Sequence, residues 1–149
     1  MKNKKVLFLV IGLLCLIIGV VLLLWQTEYR GEIVKISKTV VKVELATTEA
    51  QKEKGLSGRE KLGKNEGILF VYNQPTTPSF WMKGMKFSID IIWIDKDKKI
   101  VDLSEHLKPE SYPLNYSPQV PVSYVLEVPI NFVQENDLKV GQQATFSGF

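Results

Sequence analysis

Ile89-Asp90-Ile91-Ile92-Trp93-Ile94 contains a single polar side chain in six residues, and its reading decides the fold. β-Branched and aromatic residues at this density favour a strand, whose alternate side chains point to opposite faces. Ile89, Ile91 and Trp93 then share one face, and Asp90, Ile92 and Ile94 share the other. A strand apolar on both faces belongs inside a sheet that is covered on each side. Asp90 is therefore expected to be at least partly buried. An unpaired buried charge costs several kcal/mol, so Asp90 needs a cation or several donors, and Arg59 and Lys83 are the candidate cations.

Working outward, Asp95-Lys96-Asp97-Lys98-Lys99 reads as a turn into Ile100-Val101-Asp102-Leu103, which makes a hairpin with the central strand. Upstream, Gly67 to Tyr72 and Phe80 to Lys83 are strand candidates separated by Pro- and Gly-containing breaks. Ile33 to Ile36 and Val40 to Leu45 form an opening hairpin around Ser37-Lys38, with Val41, Val43 and Leu45 on one face. Thr47 or Thr48 caps a short helix through Lys54; Thr48 and Gln51 stand at capping-box spacing, and Gly55 is placed to end the helix. Downstream, Ser123 to Val128 and Gln143 to Phe146 supply the last strands, with a helical turn at Asn131 to Asn136. The pattern predicts an α+β, mainly β fold: a compact antiparallel sheet or small open barrel with one or two short helices. Lys108 to Val122 carries Pro109, Pro113, Pro118 and Pro121 with Tyr112 and Tyr116 between them, and is expected to be an ordered, packed loop.

The N-terminal stretch Val6 to Trp25, VLFLVIGLLCLIIGVVLLLW, has no charge. Twenty helical residues rise about 30 Å, the thickness of a hydrocarbon core. A cleaved signal peptide has a shorter apolar region and small residues at its cut site, whereas Gln26-Thr27-Glu28-Tyr29 follow here. Lys2, Lys4 and Lys5 bias the N-terminus toward the cytoplasm, and Trp25 suits the far interface. The expected organisation is a cytoplasmic tail at 1–5, a single transmembrane helix at 6–25, a tether at 26–32 and an extracytoplasmic domain at 33–149 of the cell envelope. Leu14 before Cys15 argues against a lipoprotein, which wants a small residue there. Gly12 and Gly19 share a helical face and offer a weak seat for a partner helix.

The anchor takes the sole cysteine, which leaves the outer domain without a thiol nucleophile, disulfide or thiolate ligand. It also takes the charge excess: beyond Lys5, 16 of the 19 basic residues face 16 acidic ones, interleaved along the chain. Without a basic stripe, no nucleic-acid partner is expected.

Glu49 through Arg59 (EAQKEKGLSGR), Glu66 to Val71 (EGILFV), Ser79 to Lys83 (SFWMK), Ile89 to Asp95 (IDIIWID) and Tyr124 to Val128 (YVLEV) together resemble the family called domain of unknown function 192. The likeness spans nearly the whole outer domain and ends with LKVGQ at Leu138 to Gln142. It implies a compact, mainly β domain with a short helix, often carried by exported proteins, and it brings no activity or cofactor. The family typically has a methionine where Ile68 stands and a polar residue where Gly84 stands, differences that touch packing.

Five residues are candidates for a ligand site: Arg59, Trp81, Lys83, Asp90 and Glu127. Arg59 and Asp90 form either a polar ligand-binding cluster or a structural ion pair fixing the GLSGR loop to the sheet. Trp81 and Lys83 share a side of their strand, which Met85 continues, and so present an aromatic surface beside a cation; equally, they pack and solvate as ordinary strand residues. Glu127 shares a face with Ser123 and Val125, and with Asp90 could make the acid and base of a hydrolase acting on an envelope polymer. The glycines of GLSGR could also present amides to an anion.

Other chemistry has thinner support. Asp95 and Asp97 lack the further ligands of a calcium loop, and the one histidine, His106, is read as a loop residue. No catalytic residue, metal site or cofactor is assigned. The leading expectation is a binding module for an envelope ligand or protein, its pocket lined by Arg59, Trp81, Lys83 and Asp90 under the Tyr112 to Tyr116 loop. A domain that only docks on a membrane protein is a further alternative.

Overall fold

A computed structural model describes residues 31–149; the expected tail, span and most of the tether lie outside them. Among the described residues no helix is long and apolar enough to cross a membrane. The chain opens with the expected hairpin, β1 (Ile33–Ile36) against β2 (Thr39–Ala46). Ser37 takes the left-handed turn position, and Val41 and Val43 are buried on one face. Helix α1 (Glu49–Lys54) begins with the full capping box of Thr48 and Gln51 and ends at Gly55, whose φ of 46° favours glycine.

From there the path departs from a purely antiparallel expectation. Strand β3 (Glu66–Thr76) pairs parallel to β2, which is possible because α1 and the loop after it form the long crossover that parallel neighbours need. The short β4 (Phe80–Trp81) ends two residues before the expected boundary, and its partner β7 (Asn115–Tyr116) lies in the proline-rich segment. That segment is ordered as expected, with a 3-10 turn at Pro109–Ser111 and a buried Pro118.

β5 (Ile89–Ile94) and β6 (Ile100–Leu107) form the predicted hairpin, and β8 (Val122–Pro129), α2 (Phe132–Glu135) and β9 (Ala144–Ser147) complete the chain. The main sheet runs β6-β5-β8-β3-β2-β1-β9. It curls into a half-barrel whose edges meet at one end. Lys99 bridges Gln143, and the amide of Ala144 donates to the Lys98 carbonyl at 2.8 Å.

Curling gives the sheet two cores. Val34 and Ala144 from one end of the strand order meet Ile94 and Ile100 from the other on the concave face, with Phe132, Val133 and Leu138 as the plug. The convex face buries Ile68, Phe70, Ile91, Trp93 and Val125 beneath Leu56 and Met82, which arrive on loops. All six residues of β5 are buried, as its two apolar faces predict.

Asp90 is 0% exposed, and its partners are backbone donors instead of Arg59 or Lys83. Its Oδ1 accepts from the amide of His106 at 2.9 Å, and its Oδ2 accepts from the amide of Val133 at 3.1 Å. His106, expected in a loop, occupies an irregularity of β6, where two residues, Glu105 and His106, oppose the single Asp90 of β5, and has a φ of 58°. Val133 is in the first turn of α2, whose N-cap Asn131 makes no side-chain capping bond. A carboxylate from the sheet thus does the work of a cap and ties β5, β6 and α2 together.

Replacing Asp90 by Ala leaves two amides without acceptors, at about 1–3 kcal/mol each. Urea unfolding should show a midpoint lowered by the equivalent of about 2–6 kcal/mol with an unchanged slope. An unaltered midpoint would show that these bonds are not what holds α2.

Candidate functional site

On the convex face, a cleft of about 460 Å³ opens between α1, the loop after it, the end of β3 and the segment Pro78 to Met85. Phe70, Tyr72, Phe80 and Trp81 give it aromatic walls, and Glu127 lies at its floor. The strands place these side chains directly. Ile68 and Ile91 flank Glu127 across β3 and β8 and across β5 and β8, so all three share the convex face. Phe70 meets Phe80 edge-to-face at 4.8 Å, and Phe80 meets Trp93 in the same way at 5.5 Å, an arrangement that fixes the Phe80 ring at the wall. The indole of Trp93 donates to Ser104 Oγ at 2.9 Å.

The proline-rich segment braces this wall and does not cover the cleft. Phe80 pairs with Tyr116, Trp81 pairs with Asn115, and the Ser79 hydroxyl donates to Asn115 Oδ1 at 3.1 Å. Trp81 remains 46% exposed. The opposite wall is held by two cross-loop bonds: Ser57 Oγ donates to the Lys83 carbonyl at 2.8 Å, and the Gly58 amide donates to the Gly84 carbonyl at 2.9 Å.

Glu127 is 5% exposed, and its Oε2 has no hydrogen-bond partner among the described residues. Burial pushes its carboxyl up to about 8, outweighing the downward pull of the Arg59 charge. Magnitudes favour the neutral form: an unpaired buried carboxylate costs several kcal/mol, whereas an unsatisfied neutral group costs about 1–3 kcal/mol. Gly55 leaves room beside it, since a Cβ there would stand 3.8 Å from Oε2 and 3.3 Å from the Phe70 ring. Tyr72 is likewise pushed up to about 12, first by burial and then by the charges of Glu49 and Glu127.

The five predicted site residues divide. Trp81 and Glu127 line the cleft. Arg59 pairs with Glu44 through both terminal nitrogens, at 2.7 and 2.6 Å, so the expected Arg59–Asp90 contact is replaced by a bidentate bridge to the neighbouring strand. That bridge lowers the Glu44 carboxyl and raises the Arg59 guanidinium. Lys83 lies beyond the end of β4 and contributes its carbonyl, so the expected run of Trp81, Lys83 and Met85 reduces to Trp81 and Met85 at the cleft. Asp90 is on the other face of the sheet.

The Asp90–Glu127 pairing fails for a reason of register. Asp90 stands opposite Val128, and Ile91 stands opposite Glu127. Cross-strand partners share a face and neighbours along a strand do not, so the two carboxyls lie on opposite sides of the sheet and cannot flank one bond. The anion reading of GLSGR also fails, because the amides of Gly55, Ser57, Gly58 and Arg59 all donate within the fold. In the Asp95 turn, Oδ1 accepts from the amides of Asp97 and Lys99, and no group of residues fit to hold a metal is present among the described residues.

Several lining residues were not singled out from sequence, notably Lys52, Tyr72 and Phe80. Lys52 bonds Glu49 at 3.0 Å and lies over the Tyr72 ring at 4.5 Å. The i,i+3 spacing of Glu49 and Lys52 on a capped helix was a legible signal for their bridge, but not for Tyr72 beneath it.

Between pH 4.5 and about 8 the folded chain retains a Glu127 proton that the unfolded chain has lost, so wild-type stability should fall as pH rises through that window. Glu127→Gln has no such proton. Thermal unfolding should shift in favour of the variant progressively up to about pH 8 and by a constant amount above it. A difference independent of pH would contradict the burial of an ionisable group at this position.

A family model, DUF192, described as an uncharacterized ACR, matches residues 32–146. A crystal structure of a candidate transcription regulator from Sinorhizobium meliloti 1021 is similar at 27% identity and a TM-score of 0.74, over 79% of this chain and 95% of that one. Another, of a protein of unknown function from Novosphingobium aromaticivorans DSM 12444, is similar at 27% identity and a TM-score of 0.72, over 76% and 83%. No curated protein matches the chain.

Proposed function

The chain belongs to the DUF192 family, whose description assigns no activity, and from that premise we propose that the domain is a small-ligand-binding module of the cell envelope. One observation carries this: Glu127 Oε2, buried at the floor of an aromatic cleft, has no hydrogen-bond partner among the described residues. Buried polar atoms in folded proteins are nearly always satisfied, and an unsatisfied one at a cleft floor is an attachment point that a ligand completes. Trp81 supplies a large, half-exposed apolar surface at the same opening. The ligand is small enough for about 460 Å³, has an apolar part for the aromatic walls and one polar head for Glu127.

The envelope setting draws on sequence. The uncharged stretch from Val6 to Trp25, preceded by Lys2, Lys4 and Lys5, supports a single-pass anchor with the domain outside the cytoplasmic membrane. A tether of residues 26–32 reaches about 25 Å at full extension, so a target of the domain is expected to lie near the membrane surface or be delivered to it. The balanced, interleaved charges after Lys5 give no reason to carry a regulator's nucleic-acid contacts over from the S. meliloti neighbour.

A thermal-shift screen of the purified full chain against small amines, alcohols, sugars and carboxylates tests the cleft. At least one class should raise the midpoint, and Trp81→Ala should weaken that ligand's binding by about 1–3 kcal/mol while leaving the ligand-free midpoint nearly unchanged. If no class shifts the midpoint, or the hit ignores Trp81→Ala, the cleft is not the binding site.

A further inference from the structure

The uncommitted groups of the cleft define the chemistry of its ligand, an inference that rests on the cleft being the binding site. We infer that the cleft takes a small organic cation, a primary ammonium on an apolar stem, with its head on Glu127 Oε2 and its stem against Phe80 and Trp81.

Two of the cations around the cleft are already engaged. Arg59 spends both terminal guanidinium nitrogens on Glu44, and Lys52 is held between Glu49 and the face of Tyr72. The loop amides of Gly55, Ser57, Gly58 and Arg59 donate inside the fold. An anionic ligand therefore finds these two cations and four loop amides committed, and it would also face the Glu127 carboxyl. At the rim, α1 adds Glu49 and Glu53 against Lys52 and Lys54, so the helix contributes no net positive charge.

A sugar is disfavoured on different grounds. Recognising several hydroxyls takes several available polar side chains, whereas the Ser57 and Ser79 hydroxyls of the lining already donate within the fold, and Gly55 and the Phe70 ring stand beside Glu127. One buried acid between aromatic walls matches one polar head on an apolar stem. The half-exposed indole of Trp81 adds a π face, which attracts an ammonium more strongly than it does a neutral head.

Binding is then linked to protons. In the empty cleft Glu127 is protonated; when the ammonium arrives, the carboxyl O–H ionises, its proton goes to solvent and an ammonium–carboxylate pair forms. The charged and titratable groups facing Glu127 are Arg59 from the loop, Tyr72 from β3 and the four charged residues of α1 just named. Arg59 is raised further from its ordinary value and Tyr72 is pushed up to about 12, so neither titrates in the window where Glu127 does.

The probe pair is benzylammonium and benzyl alcohol, alike in shape and different in charge, titrated calorimetrically into the full chain from about pH 6 to about pH 9. Benzylammonium should bind with an affinity that rises roughly tenfold per pH unit and levels off near pH 8, with a heat that varies with the buffer because one proton is released. Glu127→Gln should abolish the pH dependence and reduce benzylammonium to the affinity of benzyl alcohol, while Trp81→Ala weakens both. If benzyl alcohol binds wild type as tightly as the amine, or the amine shows no pH dependence, the cation inference falls and the cleft reading stands. If neither probe binds but another class in the screen does, in a manner sensitive to Trp81→Ala, only the cation inference falls. Silence of every class overturns both.

Discussion

The register of β5 against β8 is the constraint on which the rest of the molecule depends. By placing Asp90 opposite Val128 and Ile91 opposite Glu127, it sends two buried acids to opposite sides of one sheet. A slip of one residue would exchange every side chain of a strand between the two cores, and because both faces of β5 are packed, no neighbouring register is tolerated. Asp90 then serves the concave core, where it replaces the missing cap of α2, and Glu127 serves the convex one, where it opens on the cleft.

The two acids illustrate opposite solutions to burial. Asp90 gives each oxygen a backbone donor, so its burial knits three elements together. Glu127 has the Arg59 charge in its surroundings, but that guanidinium is turned to Glu44, and one carboxyl oxygen is left unmet. A fold selected only for stability would place an apolar side chain at this position, given the partners of Glu127 in Ile68 and Ile91. Retaining an acid there reduces stability above the ordinary carboxylate range, and that kind of local loss is characteristic of a functional site.

Much of the fold was legible in local chemistry. The Ser37-Lys38 hairpin, the Thr48 and Gln51 box, the end at Gly55 and the burial of Asp90 all follow from short-range patterns. The failures concern partners distant in sequence. Arg59 and Asp90 each need a counterpart, but Arg59 finds Glu44 on β2, whose parallel pairing with β3 no local signal announces. The burial of Glu127 was less legible than that of Asp90: Val122, Tyr124, Leu126 and Val128 make one apolar face, but the face that carries Glu127 also carries Ser123 and reads as half-solvated. The cleft itself was not legible, because its walls come from four separate parts of the chain and β4 depends on a two-residue partner in the proline-rich segment.

The first and last strands of the domain are also neighbours, with Ile33 facing Ser147 and Ile36 facing Ala144. Both ends of the folded domain therefore emerge at the same end of the sheet, side by side. Tension applied between them would load the β1–β9 hydrogen bonds one after another, as a zipper opens, and not all together in shear. Mechanically, the domain has its weak seam at this edge: a modest pull would peel β9 away, withdraw Ala144 from the concave core and release the bond that closes the half-barrel at Lys98, before the aromatic cleft on the convex face is strained.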